Sequence, residues 1–186
     1  PHRRVVVADE AAGERLAPRF AALGWRPFRH VWMVHRPGEL PLERDPAVEQ
    51  VAAHVARDLT EEWLRSAPWW EDAEEVSRFA EDAARVDARL PGTAITLAVF
   101  DPWPVGFVAL REAGDGAEVT DLYITPSHRG RGLSGALLRS AMATARSEGL
   151  GDLWIVADTD DWPRTLYERQ GFERVWLEHL FTRPSA

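Results

Sequence analysis

The sequence predicts an α/β protein of the α+β type, a mixed and mostly antiparallel sheet flanked by helices. Three observations predict it. Short β-branched or alternating apolar runs recur along the chain, segments of helical period lie between some of them, and tight turn signals join others. With 186 residues, 45% of them hydrophobic, the chain is long enough to bury one substantial core and carry an additional element.

The elements follow in order. Arg4-Val5-Val6-Val7-Ala8 reads as a strand, Gly13 to Leu23 as a helix closed by Gly24, and Phe28 to His35 as a strand that ends before Pro37. Pro37-Gly38-Glu39-Leu40-Pro41 reads as a linker. Val48, Val51, Ala52, Val55 and Leu59 fall at helical spacing behind the cap and first turn Asp45-Pro46. A second helix sets Val76, Phe79, Ala80, Ala83 and Val86 on one face and stops before Pro91-Gly92. Three strands follow, 94–100, 105–111 and 118–124, joined by Asp101-Pro102-Trp103-Pro104 and Ala113-Gly114-Asp115-Gly116. A helix from Leu133 to Gly149, a strand from Asp152 to Ala157, a short helix from Arg164 to Arg169 and a strand from Val175 to Phe181 complete the order.

Composition removes several function classes. Without cysteine there are no disulfides, thiolate metal sites or cysteine nucleophiles, and no metal site is expected. The net charge of −8 disfavours nucleic-acid binding, which needs a basic face, and leans toward cationic small molecules. No apolar run is long enough for a membrane span and no secretory pattern opens the chain, so a cytoplasmic location is expected. The chain starts at Pro1 rather than Met, so further residues ahead of it are expected.

The most informative stretch is Arg129-Gly130-Arg131-Gly132-Leu133-Ser134-Gly135, between the strand ending at Ile124 and the helix from Leu133. Glycines let backbone N–H groups approach a ligand closely, and a helix start leaves N–H donors unpaired and favours an anion. This is a phosphate-holding device, and a pyrophosphate-bearing ligand is expected. With no lysine in the chain, the G-x-x-x-x-G-K-[ST] phosphate loop is excluded.

The two ends of the chain resemble each other. Val5-Val6-Val7-Ala8-Asp9 matches Trp154-Ile155-Val156-Ala157-Asp158, and Phe20-Ala21-Ala22-Leu23-Gly24-Trp25 matches Tyr167-Glu168-Arg169-Gln170-Gly171-Phe172. Gly24 and Gly171 each stand thirteen residues before an Arg-Pro proline, Pro37 and Pro184. Residues 1–40 therefore read as a partial strand–helix–strand repeat plus linker, and 41–186 as the main domain. The repeat is expected to pack on the main sheet or across a homodimer.

Arg129-Gly130-Arg131-Gly132-Leu133-Ser134, the strand Asp121-Leu122-Tyr123-Ile124-Thr125-Pro126 and the later Leu166-Tyr167-Glu168-Arg169-Gln170-Gly171-Phe172 resemble, in order and spacing, the motifs of the GCN5-related N-acetyltransferase (GNAT) family. The resemblance implies that family's acyl-CoA N-acyltransferase fold, with acetyl-CoA as acyl donor and an amine-bearing small molecule or peptide as acceptor. It implies that the backbone of Leu122, Tyr123 and Ile124 pairs with the pantetheine arm. Backbone N–H groups from Arg129, Gly130, Arg131, Gly132, Leu133, Ser134 and Gly135 would hold the pyrophosphate. It also implies that Tyr167 supplies a proton or hydrogen bond to the sulfur of CoA, with core packing beside Phe172 as the plainer role. Two positions depart from the pattern. Ser134 replaces a Gly or Ala, and Asp160 stands where relatives often carry Asn.

The general base is open. Relatives place a Glu where this chain has Thr120, which cannot serve. Strict alternation puts Glu118 on the face of Thr120 and Asp121 on the opposite face, so Glu118 is the candidate, acting directly or through a water, with His54 as an alternative. Glu61, Glu62, Trp63, Trp69, Trp70, Glu71 and Asp72 mark the acceptor region, where carboxylates beside indoles suit a cationic amine and equally suit core anchors and helix capping. A non-catalytic acyl-CoA-binding or regulatory module is the competing reading.

Overall fold

Eight strands and five helices form in a computed structural model that describes residues 3–36, 38, 43–66, 73–89 and 94–183. In chain order these are β1 (Arg3–Val7), α1 (Glu10–Ala22), β2 (Arg26–His35), β3 (Val48–Val51), α2 (Arg57–Ser66), α3 (Ala73–Arg89), β4 (Ala94–Phe100), β5 (Pro104–Ala113), β6 (Gly116–Ile124), α4 (Leu133–Ser147), β7 (Leu153–Asp158), α5 (Pro163–Arg169) and β8 (Glu173–Arg183). They fall into two compact units, residues 1–35 with 154–186 and residues 36–153. The sheet strands are mostly antiparallel, as the alternating runs predict.

In the first unit the strand order is β1-β8-β2-β7. Strand β8 runs antiparallel to both its neighbours, with Val5 opposite Phe181 and Phe28 opposite Leu180. Asp9 starts α1 by accepting the Ala12 N–H at 2.6 Å, an N-cap that satisfies one of the helix's orphan donors. Phe20 of α1 stacks on Phe181 with ring centroids 4.1 Å apart, which fastens the helix to a fully buried side chain of β8.

The matched segments 5–25 and 154–172 end their helices in the same way. The N–H groups of Leu23, Gly24 and Trp25 bond to the carbonyls of Phe20, Ala21 and Phe20 at 3.0, 2.9 and 3.0 Å. Those of Gln170, Gly171 and Phe172 bond to Tyr167, Glu168 and Tyr167, each at 3.0 Å. Gly24 and Gly171 take φ of +77° and +90°, the left-handed geometry that lets a helix end on its own last carbonyls. Phe20 meets Trp25 as Tyr167 meets Phe172, at 5.3 and 6.1 Å. Pro37 and Pro184 lie outside the described residues.

The second unit is an antiparallel meander, β6-β5-β4-β3. On one face Leu97, Val99, Val108 and Leu110 are at most 1% exposed and lie under α4, which packs on β4, β5 and β6. The other face carries Phe107 and Tyr123, which cluster with Ala56, Leu59 and Trp63 of the α2 region.

Two expectations are corrected here. The helix expected over Val48–Leu59 begins as a strand. Asp45 accepts the Ala47 N–H on its carboxylate and the Val48 N–H on its carbonyl, 3.0 and 2.9 Å, so it caps a tight turn. The β-branched Val48 and Val51 then pair with Val99 and Thr96 of β4, and helical structure starts only at a 3₁₀ turn, Ala53–Ala56. The three-residue spacing of the valines fits a helix while their β-branched side chains favour a strand, and pairing with β4 decides between them. In α3, Val76 and Ala80 are each 1% exposed, but Phe79 and Val86 are half exposed.

Because both C-terminal glycines occupy left-handed geometry, Gly24→Ala and Gly171→Ala are each expected to lower stability by about 1–2 kcal/mol. Urea unfolding of the two variants measures it. Two unchanged midpoints would show that the matched helix ends bear no strain.

Candidate active site

The phosphate-type loop is built from the end of β6. Thr125 N–H bonds to Val105 O at 2.9 Å, holding the exit of the strand against β5. A single 3₁₀ turn, Pro126–His128, follows, and the hydroxyls of Thr125 and Ser127 each lie 2.9 Å from His128 Nδ1. Gly130 and Gly132 then take φ of +75° and +80°, and no atom lies within 4 Å of where a Cβ would stand on either. Gly132 is the N-cap of α4 and offers no side-chain oxygen. The first bond of that turn runs from Ala136 N–H to Gly132 O at 3.1 Å, so the N–H groups of Leu133, Ser134 and Gly135 precede it and face out of the helix start. Ser134 is half-buried and Gly135 buried, compatible with the close packing of α4.

Both arginines of the loop are occupied. Arg129 Nε–H donates to Ile124 O at 3.1 Å, with the guanidinium 5.8 Å over the Tyr123 ring. Arg131 pairs with Asp101 at 2.8 Å. The loop therefore offers an anion its backbone donors and open glycine faces, with the arginines as a flanking field. These residues fit a pyrophosphate such as that of coenzyme A.

Strand β6 contains a bulge that sequence alternation does not reveal. Leu110 pairs with Val119 but Ala109 pairs with Asp121, which leaves Thr120 as the extra residue. Opposed residues on antiparallel strands share a face, so Glu118, opposite Arg111, and Asp121, opposite Ala109, lie on the same face. The expectation that Asp121 points the other way is thus corrected, and the physical reason is the inserted Thr120. That face looks into a narrow pocket of about 40 Å³ whose walls include Ala56, Ala80, Thr96, Phe107, Arg111 and Asp121. Thr120 Oγ1 donates to Asp121 Oδ2 at 3.1 Å. Asp121 is the functional candidate that sequence reasoning missed, and no pattern in the sequence marks a bulge.

The acceptor region is partly described. Trp63 packs against two core clusters, one through Phe107 and Tyr123 and one through Leu64, Val76 and Ala80, so it is a core anchor. Glu61 is held by Arg65 and by Ser77, whose Oγ lies at 2.5 Å. Burial, and next the charge of Glu62, push the Tyr123 phenol above its ordinary range. Trp69, Trp70, Glu71 and Asp72 lie outside the described residues. His54 is exposed on the 3₁₀ turn ahead of α2.

Tyr167 belongs to the first unit. It sits on α5, 7% exposed, tilted against Phe172. Burial and then the charge of Asp161 push its phenol up to about 12. It therefore keeps its proton throughout the neutral range, where it can donate a hydrogen bond and does not act as a phenolate base. Asp160 is spent on Arg29, 3.3 Å away, and is 77% exposed.

The raised Tyr167 value makes a stability prediction. A phenol that ionises near 10 when unfolded and near 12 when folded favours the fold fully below pH 10, and that contribution fades as pH climbs to 12. The shift corresponds to roughly 2–3 kcal/mol. Urea titrations from pH 9 to 12 should show a flatter alkaline decline for Tyr167→Phe than for the unmodified chain. Parallel declines would mean that Tyr167 is not the group responsible.

Comparison with known proteins identifies the family. The model of the acetyltransferase (GNAT) family matches residues 56–172, more than half of the chain. A streptothricin acetyltransferase from Streptomyces lavendulae is 34% identical over 84 residues, a stretch covering 44% of this chain and 44% of that protein. Two solved structures share the fold over all of this chain. One is a GCN5-related N-acetyltransferase from Sphaerobacter thermophilus, with 17% identity, a TM-score of 0.68 and 60% of its length covered. The other is a functionally unknown conserved protein from Staphylococcus epidermidis, with 16% identity, a TM-score of 0.70 and 73% covered. With loop, strand and family model in agreement, the chain belongs to the GNAT family of acetyltransferases.

Proposed function

We propose that this chain is an acetyl-CoA-dependent N-acetyltransferase that passes an acetyl group directly to a primary amine of a small molecule or peptide. One observation carries the reading: the left-handed pair Gly130 and Gly132 turns the end of β6 into α4 with its leading N–H groups lacking a partner among the described residues, where an oxyanion can be held. Acetyl-CoA supplies an acyl thioester, so no covalent nucleophile is needed from a chain without cysteine. In this reading the backbone N–H groups from Arg129 to Gly135 hold the pyrophosphate, and the backbone of Leu122, Tyr123 and Ile124 aligns the pantetheine arm.

Each remaining residue has a proton to manage. Tyr167 keeps a phenolic proton at neutral pH and offers it to the sulfur of CoA as a hydrogen bond. Glu118 is the proposed base, and Asp121, which lines the narrow pocket, joins it because the bulge sets both carboxylates on one face of the sheet. A carboxylate pair there suits an ammonium group that must be held and then relieved of a proton. The streptothricin acetyltransferase shares part of this chain's sequence, so streptothricin is the first acceptor to test, beside simple diamines and peptides. Residues 1–40 are, in this proposal, a partial repeat of the same fold, and the place of action is the cytoplasm. Thr120, where relatives carry a Glu, favours the competing non-catalytic acyl-CoA-binding module.

Calorimetry with acetyl-CoA is expected to show one saturable site, weakened about tenfold or more in Gly132→Val, whose side chain would enforce a strained turn and crowd the donors. Absence of binding to the unmodified chain removes the enzyme reading. Thiol release across the amine panel then separates enzyme from module: binding without turnover on any amine selects the module.

Tyr167→Phe should lower kcat about 10²-fold while leaving CoA affinity within a factor of two or three. Asp121→Asn and Glu118→Gln are each expected to lower kcat/KM, with the smaller loss recovered at high pH as the free amine becomes available. A wild-type rate in both carboxylate variants would place the base elsewhere.

A further inference from the structure

The turn between β4 and β5, Asp101-Pro102-Trp103-Pro104, has no part in the chemistry described so far. Its indole is 77% exposed, more than any other large apolar side chain among the described residues. One exposed aromatic on a surface means little by itself. What sets Trp103 apart is where it stands and how firmly its backbone is held.

Strands β5 and β6 run antiparallel with Gly106 opposite Ile124, so the start of β5 and the end of β6 meet at one end of the sheet. The β4–β5 turn therefore stands beside the chain that leads into the phosphate-type loop. Two contacts join them. The Thr125 N–H bonds to Val105 O at 2.9 Å, and Arg131 of the loop reaches back to Asp101 at 2.8 Å. Trp103 is two residues from Asp101, at most about 7 Å along the chain. The turn is braced as well. Asp101 N–H donates to Trp103 O at 2.9 Å, and Phe100 N–H donates to Ala47 O at 3.2 Å. Pro102 and Pro104 have fixed φ on either side of the tryptophan. Little backbone freedom is left to lose when a ligand settles on the indole.

We infer that Trp103 is the platform on which the adenine ring of coenzyme A stacks. The inference rests on the reading that the loop holding Gly130 and Gly132 binds the pyrophosphate. In coenzyme A a single ribose separates that pyrophosphate from the adenine, so the base settles close to the loop. No residue from Arg129 to Gly135 carries a ring. The exposed indole of the braced turn offers the base a flat apolar face there. Asp101 is then a positioning residue, because its pair with Arg131 ties the turn to the loop.

Calorimetric titration of the full chain with coenzyme A and, by competition, with 4′-phosphopantetheine, which lacks the adenosine, tests this. Trp103→Ala should weaken coenzyme A about tenfold and leave 4′-phosphopantetheine within about twofold. Trp103→Tyr, which keeps a ring, should recover most of the loss. Circular dichroism checks that each variant folds. Equal affinity for coenzyme A in the unmodified chain and in Trp103→Ala overturns the platform and leaves the proposed function standing. An equal loss for both ligands places the effect in the loop and overturns the platform too. Absence of coenzyme A binding by the unmodified chain overturns both readings.

Discussion

A helix cannot pair its own first N–H groups, and the surroundings of α4 are organised by that deficit. Capping by a serine, threonine or aspartate would satisfy one of the donors and put a side chain in front of the rest. Gly132 at the cap satisfies none, and its left-handed backbone, with that of Gly130, brings the chain in without a side chain in the way. The arginines on either side are drawn off, one to the Ile124 carbonyl and one to Asp101. Positive charge is therefore near the donors without filling the space in front of them. The helix behind the donors is held by a dense seam of small residues. Gly135, Ala136, Ser140, Ala141, Thr144 and Ala145 are all buried, so α4 lies close on its sheet and its N-terminus is fixed in place.

Much of this is legible in the sequence because local rules and tertiary packing agree. The loop, the strand before it, the helix after it and the matched ends of the chain all follow from glycines, β-branched runs and apolar period. Legibility fails where two local rules give the same pattern or where a single inserted residue changes the count. Val48 and Val51 suit a helix as well as a strand, and only the β4 edge beside them settles the matter. Thr120 looks like an ordinary strand residue, yet as the extra residue of the bulge it turns Asp121 to the face of Glu118. No composition signal marks that event, because the bulge is fixed by how β6 pairs with β5 and not by the residues of β6 alone. Phe79 shows a third kind of failure: a correct helix period, with one position left half exposed because the stripe beside Val76 and Ala80 is narrower than the apolar pattern.

The matched segments 5–25 and 154–172 act as an internal control. What they share is what the fold demands: a valine-rich strand, a helix stopped by a left-handed glycine, and an aromatic just after it that packs against an aromatic inside the helix. What they do not share is free to answer to function. At the packed aromatic position one segment has Phe20 and the other Tyr167. Phe20 makes a 4.1 Å stack with Phe181 and needs nothing more. The ring alone therefore suffices for packing at that place. Tyr167 adds a hydroxyl to a site where burial opposes its ionisation and Asp161 opposes it further. The hydroxyl keeps its proton at neutral pH, as the proposed donor role requires. The same comparison separates Arg164 and Arg174 from Ala17 and Pro27. Arg174 has a local reason to be there, since it pairs with Glu168 through Nε at 2.7 Å, whereas the matched Pro27 carries no charge.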